Sequence, residues 1–264
     1  MKNILITGST DGIGKLLALR LAKEGHFVAI HGRDAKKLQS TLTEIRTESK
    51  NENVFGFLAD FSDLIAVNSM AEEVAKKLPK IDILINNAGV FTSKVDTVAN
   101  GVDVRLAVNY LAPYEFTIAI MPLMKKADAP RIINLSSAAQ APVLLAALQK
   151  NVGLGVNEAY AQSKLALTMW SFYLAKQEPS ITVVPVNPGS LLDTKMAKEA
   201  YGQHWSPAEK GVDILYDLAT TDLAETGKYF DNDKGFYSDA HPDAYNESKI
   251  NTLIVFTNKI VSKL

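Results

Sequence analysis

The chain has no cysteine, so it can build no disulfide framework and offers no thiolate nucleophile. Its four histidines, His26, His31, His204 and His241, fall at no metal-ligand spacing, and no metal site is expected. Neither sign of charge dominates: 28 Lys and Arg stand against 29 Asp and Glu, for a net charge of −1. That balance leaves no basic field for nucleic acid or for an anionic membrane surface. No apolar run approaches the roughly 18 or more residues of a membrane span. The first apolar run begins at Ile4, which leaves no room for a signal peptide and points to a cytoplasmic protein. No Gly-x-Ser-x-Gly elbow occurs, so serine-hydrolase chemistry is unsupported. Repeats, low-complexity tracts and splitting linkers are also missing. The reading is therefore one domain over residues 1–264, with loop and C-terminal elements at about 190–206 and 235–264.

What the chain does have is 47% hydrophobic residues in a regular alternation. Short apolar runs at residues 4–7, 27–31, 54–59, 83–86, 132–135 and 182–186 read as strands, with a seventh at 227–230. Helical patterns at 13–24, 35–49, 64–78, 101–126 and 158–176 lie between them, and 207–219 (capped by Ser206) and 243–264 follow. The strand runs are apolar throughout, so helices should cover both sheet faces. This predicts an α/β fold, a doubly wound parallel sheet of about seven strands (a Rossmann fold), with ligands bound at the carboxyl ends of its strands.

The distinctive motifs fall at those ends. Thr7-Gly8-Ser9-Thr10-Asp11-Gly12-Ile13-Gly14 lies between the first strand and its helix. Gly8 permits a sharp turn, Gly12 a close approach of backbone to a pyrophosphate, and Gly14 tight packing of helix on strand. The helix then offers its free N–H groups to phosphate. Asn86-Asn87-Ala88-Gly89, Ser136-Ser137 and Pro188-Gly189 close later strands. Tyr160 and Lys164 share one helix face. A free phenol titrates near ~10, and a neighbouring ammonium would bring it toward neutral pH, where it could act as an acid–base group.

Together with Asn109, Tyr160-Ala161-Gln162-Ser163-Lys164 and Asn187-Pro188-Gly189, these motifs resemble the short-chain dehydrogenase/reductase family over about residues 1–235. The Ser-to-Tyr spacing and Gly227-Lys228-Tyr229-Phe230 are most similar to its retinol-dehydrogenase and carbonyl-reductase-like branch. The resemblance implies that Tyr160 exchanges a proton with the substrate oxygen and that Lys164 tunes it and holds the nicotinamide ribose. Ser137 would bind the carbonyl; Ser136 competes, but neighbouring strand side chains face opposite ways and the family pattern matches Ser137. Asn109 would anchor a proton relay. Asp60, with Phe61 after it, would contact adenine; Asn87, Ala88 and Gly89 would lie against the cofactor. Pro188, Gly189 and Thr194 would contact the nicotinamide amide, although Thr194 lies one residue further from the Gly than in many relatives.

The cofactor implied is NADP rather than NAD. Gly32 stands where an NAD enzyme carries an acid, and Arg33 after it could fork onto a 2′-phosphate. Asp11 in the glycine turn argues the other way, and Asp34 reads as a helix N-cap. The expected function is hydride transfer between NADP(H) and a small-molecule carbonyl or secondary alcohol, with an apolar substrate. The alternatives are an NAD-dependent alcohol dehydrogenase and a non-catalytic dinucleotide sensor. Loss of 2′-phosphate dependence in Arg33→Ala separates the first, and binding without turnover the second. Relatives associate as homodimers or homotetramers through helices equivalent to 101–126 and 158–176. The run 142–148 could be a pocket wall, a subunit contact or a core turn.

Overall fold

Apolar runs sandwiched between helices become the strands of one sheet. The computed structural model describes residues 1–203 and 205–262. Its strands are β1 (Asn3–Ile6), β2 (Phe27–Gly32), β3 (Val54–Leu58), β4 (Ile83–Asn86), β5 (Arg131–Leu135), β6 (Thr182–Asn187), β7 (Phe230–Asp231) and β8 (Phe236–Tyr237). Their order is β3-β2-β1-β4-β5-β6-β7-β8, and every pairing is parallel except the hairpin β7–β8. The sheet thus has one strand more than the expected seven. Two-residue strands carry no readable periodicity, and β7 starts where the predicted strand 227–230 ends.

Alternation along the strands divides the apolar core in two. Leu5, Phe57, Leu84, Ile132 and Val183 face α3 (Leu64–Lys77), α5 (Ala112–Met124), α6 (Val156–Gln177) and α9 (Glu247–Val261). Ile4, Ile6, Val28, Ile30, Ile85, Ile133 and Val184 face α1 (Gly12–Lys23), α2 (Ala35–Ser49) and α8 (Ala208–Thr220). Side-chain caps set several helix starts: Asp34 accepts from Lys37 N (2.8 Å), Asp63 from Ile65 N (2.9 Å) and Asn246 from Lys249 N (3.0 Å). Helix α8 begins after Pro207 rather than with a Ser206 cap. The predicted C-terminal helix resolves into a 3₁₀ turn, Pro242–Tyr245, and α9; residues 263 and 264 lie outside the described residues.

The predicted helix 101–126 is broken. It runs as α4 (Val104–Leu106), a π turn (Ala107–Leu111) that contains Asn109, and α5. Residues 190–206 hold a short helix, α7 (Lys195–Tyr201), and a bridge from Leu192 to Ser206; His204 lies outside the described residues. In the run 142–148, Ala147 and Leu148 are core.

A buried polar thread crosses the sheet. Asn86 Nδ2 donates to Thr117 Oγ1 (3.0 Å) and to Asn134 Oδ1 (2.8 Å), and Asn134 Nδ2 donates to Ser171 Oγ (2.8 Å). It ties α5, β4, β5 and α6 together. Among the described residues, no helix is long and apolar enough to cross a membrane.

Candidate active site

The chain crosses from one side of the sheet to the other between β1 and β4, and the glycine turn sits at that switch point. Thr7 organises it. Its buried Oγ1 accepts from Asn87 N and Ala88 N, both at 3.0 Å. Asn87 Nδ2 returns two bonds, to Thr7 O and Gly8 O, both at 2.8 Å. Gly8 has φ +63° and lies so close to β4 that a Cβ would stand 2.6 Å from Ala88 Cα. A Cβ on Gly14 would stand 2.4 Å from Asn87 Nδ2. Glycine and alanine are here because backbone meets backbone, and Asn87 serves the turn as a brace.

Two expected cofactor contacts face inward instead. Ser9 is fully buried; its hydroxyl donates to Ile6 O (2.7 Å) and accepts from His31 N (2.9 Å), and its amide bonds His31 O (2.9 Å). Phe61 is 3% exposed and stacks on His31 with ring centroids 4.2 Å apart. Apolar area and paired polar groups draw both into the core. His31 is the residue that sequence reasoning missed. Its Nδ1 accepts from Gly8 N (3.0 Å) and its Nε2–H faces Ala59 O (3.0 Å), a pattern that fixes the neutral Nε2–H tautomer. Burial lowers its pKa to about 4, against smaller opposing pulls from Ala59 O and Asp60.

Helix α1 opens with Asp11, whose carboxylate accepts from Gly12 N (2.9 Å) and pairs with Lys37. Burial pushes the Asp11 pKa up, but Lys37 and the Gly12 amide hold it below its ordinary value. The next amides of the first turn are donors that the helix cannot satisfy itself. Gly12, at φ +53°, has the Thr194 side chain 3.7 Å from the position of a Cβ and, among the described residues outside its own turn, nothing else within 4 Å. Between this helix start and α7 lies an open cleft of about 470 Å³, lined by Asp11, Gly12, Asp193, Thr194, Lys195, Lys198 and Glu199, in which Lys198 pairs with Asp193 and Lys195 with Glu199 (3.5 Å). Arg33 is exposed at the head of α2, and a Cβ on Gly32 would collide with Thr10 at 2.4 Å. A glycine cradle and a helix N-terminus fit a dinucleotide phosphate, with Arg33 the exposed cation at the head of α2. Asp60 is exposed at the end of β3 and accepts from Ser62 N (2.9 Å); the cap of α3 is Asp63.

At the carboxyl end of β5, Lys164 reaches across from α6. Its buried Nζ donates to Leu135 O (2.6 Å) and lies 5.5 Å from the Tyr160 ring centroid. Burial lowers the Lys164 pKa to about 8. Tyr160 is half-buried and meets the edge of Phe91 at 4.9 Å. The two serines lie in different surroundings. Ser136 Oγ is buried against Thr168 Oγ1 (2.6 Å) and Lys164 O (3.3 Å). Ser137 is half-exposed, and its hydroxyl accepts from Ala139 N (3.1 Å). Asn109 grips Val90 twice, accepting from its N–H (2.7 Å) and donating to its carbonyl (3.0 Å), and also donates to Ser163 Oγ (3.0 Å). Gly89 leaves space beside it: a Cβ there would meet Asn109 Oδ1 at 3.5 Å, and Lys164 Nζ and Met196 Cε at 3.7 Å.

Pro188 and Gly189 line the exit of β6, with Gly189 at φ +120°. Thr194 caps α7, accepting from Ala197 N (3.3 Å), and sets its methyl toward Gly12. Among the described residues, no group of His, Asp or Glu is gathered to hold a metal ion.

The family model for short chain dehydrogenase matches residues 2–205. Retinol dehydrogenase 12 from Bos taurus is 33% identical over 76% of this chain and 64% of its own length. The chain therefore spans less than two thirds of such relatives. A protein from Mycobacterium paratuberculosis superposes with a TM-score of 0.79 at 20% identity, covering 99% of this chain and 94% of that one. A short chain dehydrogenase from Escherichia coli CFT073 complexed with NADPH superposes with a TM-score of 0.71 at 25% identity, covering 87% of this chain and 96% of that one.

Proposed function

Because this chain belongs to the short chain dehydrogenase family, we propose that it is an oxidoreductase that interconverts a carbonyl and a secondary alcohol with NADP(H). Bound NADP(H) supplies or accepts the hydride. The turn at Gly8, Thr10, Gly12 and the first amides of α1 would hold its pyrophosphate, with Ala88 and Gly89 beneath it. Arg33 would read the 2′-phosphate. Both carboxylates that could favour an unphosphorylated ribose are engaged elsewhere: Asp34 caps α2, and Asp11 holds Gly12 N and Lys37. Pro188, Gly189 and Thr194 would border the nicotinamide, and Asp60 the adenine.

The observation that carries this reading is the placement of Lys164. Its ammonium is buried 5.5 Å from the Tyr160 ring. A pKa of about 8 leaves it mostly charged at neutral pH. A cation there favours the phenolate, so Tyr160 can give a proton to a carbonyl oxygen and take it back from an alcohol. Ser137, the serine left open, would hydrogen-bond the same oxygen. Asn109, in its π turn beside Gly89, would steady the path by which Lys164 recovers a proton. Phe91 beside Tyr160 and the Met196 methyl over Gly89 make this end apolar, which supports an apolar substrate. A cytoplasmic location is part of the same proposal, checked by cell fractionation.

Tyr160→Phe is the test. It should abolish turnover of a ketone and aldehyde panel while NADPH fluorescence titration still shows binding. Full turnover in this variant overturns the assignment.

A further inference from the structure

We propose that the segment from Tyr229 to Asp233 is a clasp that fixes the loops leaving β5 and β6 relative to each other, with Asp233 the positioning residue for the nicotinamide-facing loop. This rests on the reading that Pro188 and Gly189 border the nicotinamide. Each residue of that loop is tied down. Asp233 Oδ1 accepts from Ser190 N (2.9 Å), while its Oδ2 accepts from Ser190 Oγ and from Asn187 Nδ2 (2.9 Å). Asn187 Nδ2 also donates to Asp231 Oδ1 (2.9 Å), and its Oδ1 accepts from Gly189 N (3.2 Å). Asn232 Nδ2 donates to Pro188 O (2.9 Å) and to Lys210 O (3.0 Å). One turn of the β7–β8 hairpin thus grips residues 187–190 from outside the sheet.

The same segment holds the other loop. The Tyr229 hydroxyl donates to Ser137 O (3.0 Å), which also accepts from Gln140 Nε2 (2.9 Å). Gln140 Oε1 in turn accepts from His241 N (3.1 Å). Tyr229 is 3% exposed, and its carbonyl contact spares the Ser137 hydroxyl for substrate.

The loop needs an outside hold because its backbone turns through unusual conformations. Gly189, at φ +120°, uses the freedom of glycine, and Leu191, which is not glycine, has φ +48°. A left-handed leucine persists only where neighbouring contacts over-determine it. Asp233 supplies contacts of the strong, charge-assisted kind. Lys210 Nζ stands 3.6 Å from it. Burial raises the Asp233 pKa, but the Ser190 and Asn187 bonds and the Lys210 charge keep it below its ordinary value, so the carboxylate is charged at neutral pH.

The experiment compares two ligands on wild type, Asp233→Ala and Asp233→Asn. NADPH engages both ends of the cleft, whereas 2′,5′-ADP engages only the adenine end. Asp233→Ala should weaken NADPH about tenfold or more, in line with lost charge-assisted hydrogen bonds, and leave 2′,5′-ADP affinity within about twofold. Asp233→Asn keeps an acceptor for Ser190 N and should recover part of the loss. Equal weakening of both ligands, or no change in either, overturns the clasp while the function stands. Wild-type protein that binds neither ligand overturns the functional reading, and the clasp with it.

Discussion

His31 ties acidity to the shape of the cofactor turn. It is 3% exposed and enclosed by Gly8, Ser9, Ala59 and Phe61, and Asp60 is the charged group near it. A second proton must go to Nδ1, the atom that accepts the Gly8 amide, so protonation breaks that bond. Burial holds the folded-state pKa at about 4, against an ordinary 6.5. Between these values the unfolded chain binds a proton that the folded chain refuses, so stability falls as pH drops through this window. At roughly 1.4 kcal/mol per pH unit, the full interval amounts to about 3 kcal/mol, most of it lost by about pH 4.5. Urea unfolding of wild type and His31→Gln at pH 7, 6, 5 and 4.5 reads this directly. Glutamine can keep both hydrogen bonds without titrating. The carboxylates common to both proteins, among them Asp11 and Asp82, cancel in the difference. Wild type should lose about 2–3 kcal/mol relative to His31→Gln between pH 7 and 4.5. A difference that stays flat over that range would refute the reasoning.

Thr7→Val keeps the shape of the side chain but strands the Ala88 amide and takes one of two acceptors from the Asn87 amide, which keeps Ile85 O (3.0 Å); it should cost about 2–3 kcal/mol, against about 1 for Thr7→Ser, which keeps the acceptor. Calorimetry in which valine melts no lower than serine would remove Thr7 as organiser of the turn. Arg33→Ala should raise KM for NADPH at least about tenfold and leave KM for NADH nearly unchanged, as for loss of a bidentate phosphate contact. Equal effects on both cofactors would count against a 2′-phosphate role. The helices that the resemblance implies for self-association carry this chain's own α9: Tyr110 bonds Thr257 (2.8 Å), Tyr114 bonds Asn258 (2.6 Å), and Lys176 pairs with Glu247 (2.7 Å). Light scattering should therefore give the mass of one chain rather than the homodimer or homotetramer that the resemblance implies; a stable dimer would show that α9 yields its place.

The strands were legible because a sheet covered on both faces writes itself as unbroken apolar runs. The glycine turn and the Tyr160–Lys164 pair were legible because their geometry is local, within one turn or one helix face. His31 was not, because its partners Gly8 and Ala59 meet it only through the sheet, and in the sequence it is one histidine of four. Phe61 follows Asp60, and nothing local says that it turns inward to stack on His31. The π turn at Asn109 has ordinary helical composition, and the two-point bond that Asn109 makes there is to Val90, 19 residues away in sequence. The clasp was hidden for the same reason: Asp233 finds Ser190 across 43 residues, through strands too short to show a period.

The thread through Asn86 and Asn134 bears on how the chain finds its fold. These two residues stand directly opposite each other where β4 and β5 pair. Sliding one strand by two positions would set Asn86 against Ile132 or Ser136 and leave buried amides unpaired. Sliding one strand by a single residue would turn its asparagine to the opposite face from its partner. Apolar strands such as these, interchangeable in hydrophobicity, carry little information about alignment of their own. The asparagine pair acts as a key cut for a single position, and Thr117 and Ser171 bring α5 and α6 into the same lock. Any other alignment breaks this thread, so the glycine turn that follows β1 and the helix that carries Tyr160 are tied to one register of the sheet.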